Sequence, residues 1–171
     1  MSARLNNKVA IVTCGASGFG AGIAHKFVAE GAQVLIADRD LGGAQAVAAR
    51  AGPAALALNM ASTAGVSPRP RVSWYNASKG RVITATRANA VELAPFGIRV
   101  VALNPVAGKT PLLKSFMGED TPEMRAKFLS TVPLGRFSQP DDLANAACYL
   151  CSDEASRVTG VCMAVDGGRC I

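Results

Sequence analysis

Histidine, tryptophan and tyrosine are nearly missing from this 171-residue chain, which has one His, one Trp and two Tyr. A lone imidazole, His25, excludes a histidine-rich metal centre and most nucleophilic triads, and is expected on a helix surface. Aromatics at 5% supply no stacking ladder for single-stranded nucleic acid. Long apolar runs are absent too. Apolar runs such as Val9 to Val12 fall far short of the about 20 residues of a membrane span, and MSARLNN has no apolar stretch behind Arg4. Neither a signal peptide nor a membrane partner is expected.

Five cysteines, an odd and sparse set, do not form a secreted disulfide scaffold, so a reducing cytoplasm is expected. Cys148 and Cys151 form a CxxC in an apolar helical stretch. Without a second CxxC or a histidine pair, this reads as core packing and not as a metal site. The net charge of +6 is concentrated between Arg69 and Arg99, where Arg69, Arg71, Lys79, Arg81, Arg87 and Arg99 face only Glu92. With no aromatics interleaved, this reads as a solvated helix face, and no nucleic-acid partner is expected.

Half the residues are hydrophobic and 17 glycines are dispersed along the chain. That is the profile of one packed domain over residues 1–171. KVAIVT (Lys8 to Thr13) predicts a buried strand, and Ile23, Phe27 and Val28 predict a helix ending at Gly31. QVLIA (Gln33 to Ala37) predicts a second strand, Leu41 to Arg50 a helix and Ala54 to Met60 a third strand. Ser62 to Trp74 is a loop. A long helix follows from about Tyr75 to Ala94, with Tyr75, Lys79, Ile83, Thr86, Ala90 and Leu93 on one face. Arg99 to Leu103 and Gly160 to Val165 complete the strands, and Glu123 to Leu129 and Asp141 to Leu150 the helices. The alternation implies an α/β fold with a mostly parallel, doubly wound sheet.

Two constellations carry chemistry. The turn Thr13-Cys14-Gly15-Ala16-Ser17-Gly18-Phe19-Gly20 lies between a strand and a helix, where glycines let backbone approach a pyrophosphate and the helix start supplies N–H groups. Asp38 ends the next strand eighteen residues after Gly20, near where a carboxylate accepts from an adenosine ribose. It disfavours a 2′-phosphate, so NAD is expected over NADP, although Arg39 adjoins it. A Gly-rich connection with a capping Asp38 is the plainer alternative.

Tyr75 and Lys79 sit four residues apart at a helix start and share a face. An ammonium beside a phenol stabilises phenolate and makes the tyrosine a proton donor or acceptor for an alcohol or ketone. Ser62 is placed to hydrogen-bond the same substrate oxygen. An amphipathic helix with a half-buried Tyr and a snorkelling Lys gives the same spacing without chemistry.

Taken together, the turn, Asp38, Ser62, Tyr75-Asn76-Ala77-Ser78-Lys79 and Asn104-Pro105 resemble the short-chain dehydrogenases/reductases, with their TGxxxGxG and YxxxK motifs, over nearly the whole chain. The resemblance implies a Rossmann fold and an NAD(H)-dependent oxidoreductase. It interconverts a small-molecule secondary alcohol and its carbonyl form by hydride transfer. It makes Tyr75 the acid/base, Lys79 the residue that lowers its pKa and holds the nicotinamide ribose, and Ser62 the substrate-orienting hydroxyl. It places Gly15, Ser17, Gly18, Phe19, Gly20, Asp38, Arg39, Pro105 and Thr110 against the cofactor.

The chain departs from that family between its third strand and Ser62. Two βα units, on the order of 60 residues, are missing, with the junction near residues 55–60. With them go the adenine-side strand, the helix bearing a relay Asn, and a helix that packs at the family's homo-oligomer interface. The sheet should therefore either close up or be loose, and the helix over residues 75–94 should be unusually exposed. An internally deleted paralogue that binds nucleotide weakly, or acts only by subunit association, is the second reading. Cys14 stands at the first motif glycine and Val106 where a glycine follows Asn-Pro. Specificity is expected in Pro111 to Leu134, which shows no polar constellation.

Overall fold

The computed structural model describes residues 3–37, 57–111, 113 and 117–171. The helix expected at Leu41 to Arg50 lies outside these residues, as do Asp38 and Arg39. Strand β1 (Val9–Thr13) leads through the glycine turn into helix α1 (Gly18–Ala29) and strand β2 (Gln33–Ala37). Strand β3 (Ala57–Met60) and a 3-10 turn at Thr63–Gly65 precede helix α2 (Ser73–Leu93), which begins two residues earlier than the periodicity predicts. Strand β4 (Val100–Pro105), helices α3 (Pro122–Leu129) and α4 (Pro140–Cys151) and strand β5 (Cys162–Val165) follow.

Among the described residues all strand pairs are parallel, and the strands form two sheets: β1 with β2, and β3-β4-β5 in that order. Strand β4 is buried on both sides, as a central parallel strand must be when helices cover both faces. Its alternation sorts the core. Val101 and Leu103 pack with Ile23, Phe27, Leu143 and Leu150 of α1 and α4, while Ala102 faces Ile83 of α2. Cys148 and Cys151 are buried in the first cluster, as core packing requires. His25 is exposed on α1, as expected. Among the described residues no helix is long and apolar enough to cross a membrane, and no cluster of potential metal ligands occurs.

The sheet neither closes up nor falls apart at the missing segment. Strands β1 and β3 flank a small apolar cavity of about 10 Å³ lined by Ile11, Val12, Phe27, Leu58, Met60 and Cys151. Their backbones do not pair. Val12 turns into the α1/α4 core, but Ile11, on the opposite face of the strand, is 52% exposed. A strand of a doubly wound sheet should be covered on both faces, so Ile11 marks a face that no described helix covers. The outer surface of α2 is likewise bare: Trp74 is 90% and Val91 76% exposed, whereas Ile83, Thr86 and Ala90 on the inner face are buried.

Candidate active site

The carboxyl ends of β1, β3 and β4 bring the candidate residues together. In the turn after β1, Cys14 adopts a left-handed conformation (φ 55°), one that L side chains enter at a cost and glycine enters freely. The cysteine at the motif-glycine position is therefore accommodated in the backbone form that glycine would favour. Gly20 is compulsory: a Cβ there would stand 2.1 Å from the Cys14 carbonyl oxygen. Gly18 (φ 56°) faces Thr110, whose Cβ would lie 3.3 Å from an added methyl. Thr110 is thus held beside the glycine turn although it lies 92 residues further along. Phe19 packs on Gly108 of the same loop.

The cap position of α1 is Ser17, which makes no side-chain capping bond, and no acidic residue stands in the first turn. Backbone N–H groups at such a helix start attract anions. The glycine cradle, the close approach at Gly20 and this helix start fit the pyrophosphate of a dinucleotide. Val106 is buried and is not among the left-handed residues, so glycine is not required there.

Ser62 follows β3 and is buried. Its Oγ accepts a hydrogen bond from the Ala64 N–H at 3.1 Å, which leaves the hydroxyl proton available for another acceptor. Thr63 donates through Oγ1 to the Pro105 carbonyl at 3.3 Å and so ties the Ser62 turn to the end of β4. Gly65 lets α2 approach: an added Cβ would meet the Lys79 backbone carbon at 2.7 Å. Tyr75 and Lys79 are both half-buried on α2, with the ammonium 5.7 Å from the centre of the Tyr75 ring. Burial holds the Lys79 ammonium below the ordinary lysine value, opposed by the smaller influence of Cys14. Asn104 Oδ1, at the end of β4, is buried and has no hydrogen-bond partner.

The basic segment divides by position. Arg81 and Arg87 are exposed on α2. Arg99 donates to the carbonyls of Leu150, Ser152 and Val158 at 2.7–3.1 Å, satisfying the carbonyl end of α4 and the turn beyond it. Lys79 joins the site, and the Arg69 backbone is held by the Asn76 side chain.

Sequence comparison agrees with this geometry. The profile described as short chain dehydrogenase matches residues 8–57, and that described as enoyl-(acyl carrier protein) reductase matches residues 41–169. The 4-formylbenzenesulfonate dehydrogenase of Comamonas testosteroni is 37% identical over 248 aligned positions, covering 96% of this chain and 98% of that protein. At least 77 of those positions (248 less 171) face no residue of this chain. The 2-(S)-hydroxypropyl-CoM dehydrogenase 3 of Xanthobacter autotrophicus is 40% identical over 113 residues, 65% of this chain but only 44% of that protein. Among solved structures, the 3-ketoacyl-(acyl-carrier-protein) reductase from Brucella melitensis complexed with NADH superposes with a TM-score of 0.86. It is 37% identical and covers 98% of this chain and 100% of that one. The chain belongs to the short-chain dehydrogenase/reductase family of oxidoreductases, in a shortened form.

Proposed function

We propose that this chain is an NAD(H)-dependent oxidoreductase that interconverts a secondary alcohol and a ketone. The observation that carries the reading is the pairing of Tyr75 with Lys79, whose ammonium stands 5.7 Å from the ring centre on the same helical face. The Tyr75 hydroxyl gives a proton to the substrate oxygen on reduction and takes it back on oxidation. The Lys79 charge favours the phenolate left behind. Ser62 donates its free hydroxyl proton to the same oxygen and fixes its direction. Gly15, Ser17, Gly18, Phe19 and Gly20 would hold the pyrophosphate and Pro105 and Thr110 the nicotinamide end, while Lys79 would also bind ribose. The nicotinamide supplies or accepts the hydride when bound.

The preference for NAD over NADP rests on Asp38, which repels a 2′-phosphate. Asp38→Ala should narrow the ratio of NADH to NADPH affinity, and tighter binding of NADPH by the unaltered chain would refute the preference. Exposed Trp74 and Val91 on α2 support self-association, which light scattering would read directly. The five free thiols suit a reducing, cytoplasmic setting.

The unpaired edges of β1 and β3 favour a second reading, in which the chain binds the cofactor but turns over poorly. Titration with NADH followed by ketone reduction separates the two. Binding with robust turnover supports the first reading, binding without it the second, and no binding overturns both.

A further inference from the structure

Strand β3 reads Ala57-Leu58-Asn59-Met60, and Asn59 is its one polar side chain. Leu58 and Met60 pack with the core on the α1/α4 side. The alternation of a strand therefore turns Asn59 to the other face, toward α2, where Ala61 packs with Ile83. There the Asn59 side-chain amide donates to Thr86 Oγ1 at 2.9 Å. Thr86 is fully buried and gives its own hydroxyl proton to the Val82 carbonyl, one turn back, at 2.8 Å. With that proton committed the hydroxyl accepts from Asn59, so the bond runs in one direction.

Around this bond α2 meets the sheet through Ile83, Ala90, Ala61 and Ala102, all buried. Apolar burial is non-directional. It holds α2 against the sheet without fixing where the helix stops along its own axis. A hydrogen bond does fix it. A slip of α2 by one turn, about 5.4 Å, would set Ile83 or Ala90 opposite Asn59 and leave the amide without its acceptor. The residues that this register aligns are those of the site. Met60, next to Asn59 on β3, accepts at its carbonyl from the Lys79 ammonium, and Lys79 precedes Thr86 by seven residues on the same helical face. Ser62 follows two residues beyond Met60.

We propose that Asn59, acting through the Thr86 hydroxyl, is a positioning residue. It sets the place of α2 along β3 at which Lys79 reaches the Met60 carbonyl and Tyr75 faces the substrate oxygen that Ser62 holds. A displacement of about 1 Å at a reacting group is enough to cost catalysis heavily. The part that concerns Tyr75 rests on the oxidoreductase reading above, whereas the part that concerns Lys79 stands without it.

The test compares Thr86→Val, which keeps the shape and removes the hydroxyl, with Thr86→Ser, which keeps the hydroxyl. Trace acetylation of the full chain with acetic anhydride, read by peptide mass spectrometry, gives the reactivity of Lys79 relative to exposed Lys127. Thr86→Val should raise that ratio at least threefold as the ammonium leaves the carbonyl, and lower turnover about tenfold. Thr86→Ser should bring both back toward the unaltered chain. A bond with a merely structural role would lower the melting temperature and leave the ratio as it was, and that result overturns the proposal. So does a raised ratio with undiminished turnover. If Thr86→Val does not fold, Asn59→Ala takes its place in the same comparison with the same outcomes. An unaltered chain without turnover sinks the oxidoreductase reading alone, since the Lys79 ratio still decides the register.

Discussion

Lys79 donates its ammonium proton to the backbone carbonyl of Met60 at 2.9 Å. The Ala61 N–H pairs with the Leu103 carbonyl of β4, so the alternation of an extended strand turns the Met60 carbonyl the other way, toward the cavity. A neighbouring strand would pair with that carbonyl. Where the strand is missing, Lys79 satisfies the acceptor instead. The residue expected to serve Tyr75 and the ribose is thereby also a repair of the broken sheet.

A pH dependence follows from Lys79. Burial keeps its folded-state pKa below the 10.5 of an exposed lysine. In the window just below that value the unfolded chain therefore binds more protons, and this residue makes stability rise with pH. Lys79→Met should remove that rise. Urea unfolding of both chains between neutral pH and pH 10 measures it, and identical pH profiles would contradict the assignment.

Tyr75→Phe removes only the proton-transferring oxygen. Turnover should fall by roughly 10²- to 10⁴-fold while NADH affinity changes by less than about twofold. Steady-state kinetics beside a fluorescence titration separates the two effects, and near-normal turnover by the variant would refute Tyr75 as the acid/base.

Cys14→Gly should stabilise the chain by about 1 kcal/mol, because glycine adopts the left-handed backbone at that position without strain. Gly20→Ala should do the opposite and weaken NADH binding, since its methyl would press on the Cys14 carbonyl. Thermal melts with and without NADH read both changes.

The thiols should separate by reactivity. Cys14 is exposed, whereas Cys148 and Cys151 are buried, and desolvation pushes the Cys151 thiol up to about 12. At pH 8 iodoacetamide should label Cys14 and spare Cys151 until the chain unfolds. NADH should slow labelling at Cys14 by covering the glycine turn. Peptide mass spectrometry would show it, and early modification of Cys151 would contradict the packed core.

Hydrogen exchange should expose the divided sheet. Strand β4 pairs on both sides, but among the described strands β1 pairs only with β2. The β1 amides facing the cavity should therefore exchange much faster than those of β4. Equal protection would mean that β1 and β3 close in solution.

The alternation of β-branched runs with amphipathic helical stretches was legible as a parallel α/β fold because parallel strands must be apolar throughout and α2 repeats its buried face every turn. The short spacings of the glycine turn and of Tyr75 and Lys79 were legible for the same reason: local geometry places four consecutive turn residues or two residues one helical turn apart. The loss of the segment before Ser62 could be read by comparing motif order with the family pattern. Its consequence could not, because whether β1 and β3 pair, part or leave a cavity depends on how α1 and α4 hold β1 while α2 holds β3. The partner of Lys79 and the packing of Thr110 beside Gly18 were likewise decided in three dimensions. Long-range contacts carry no periodicity, and only the packed core brings such residues within reach of each other.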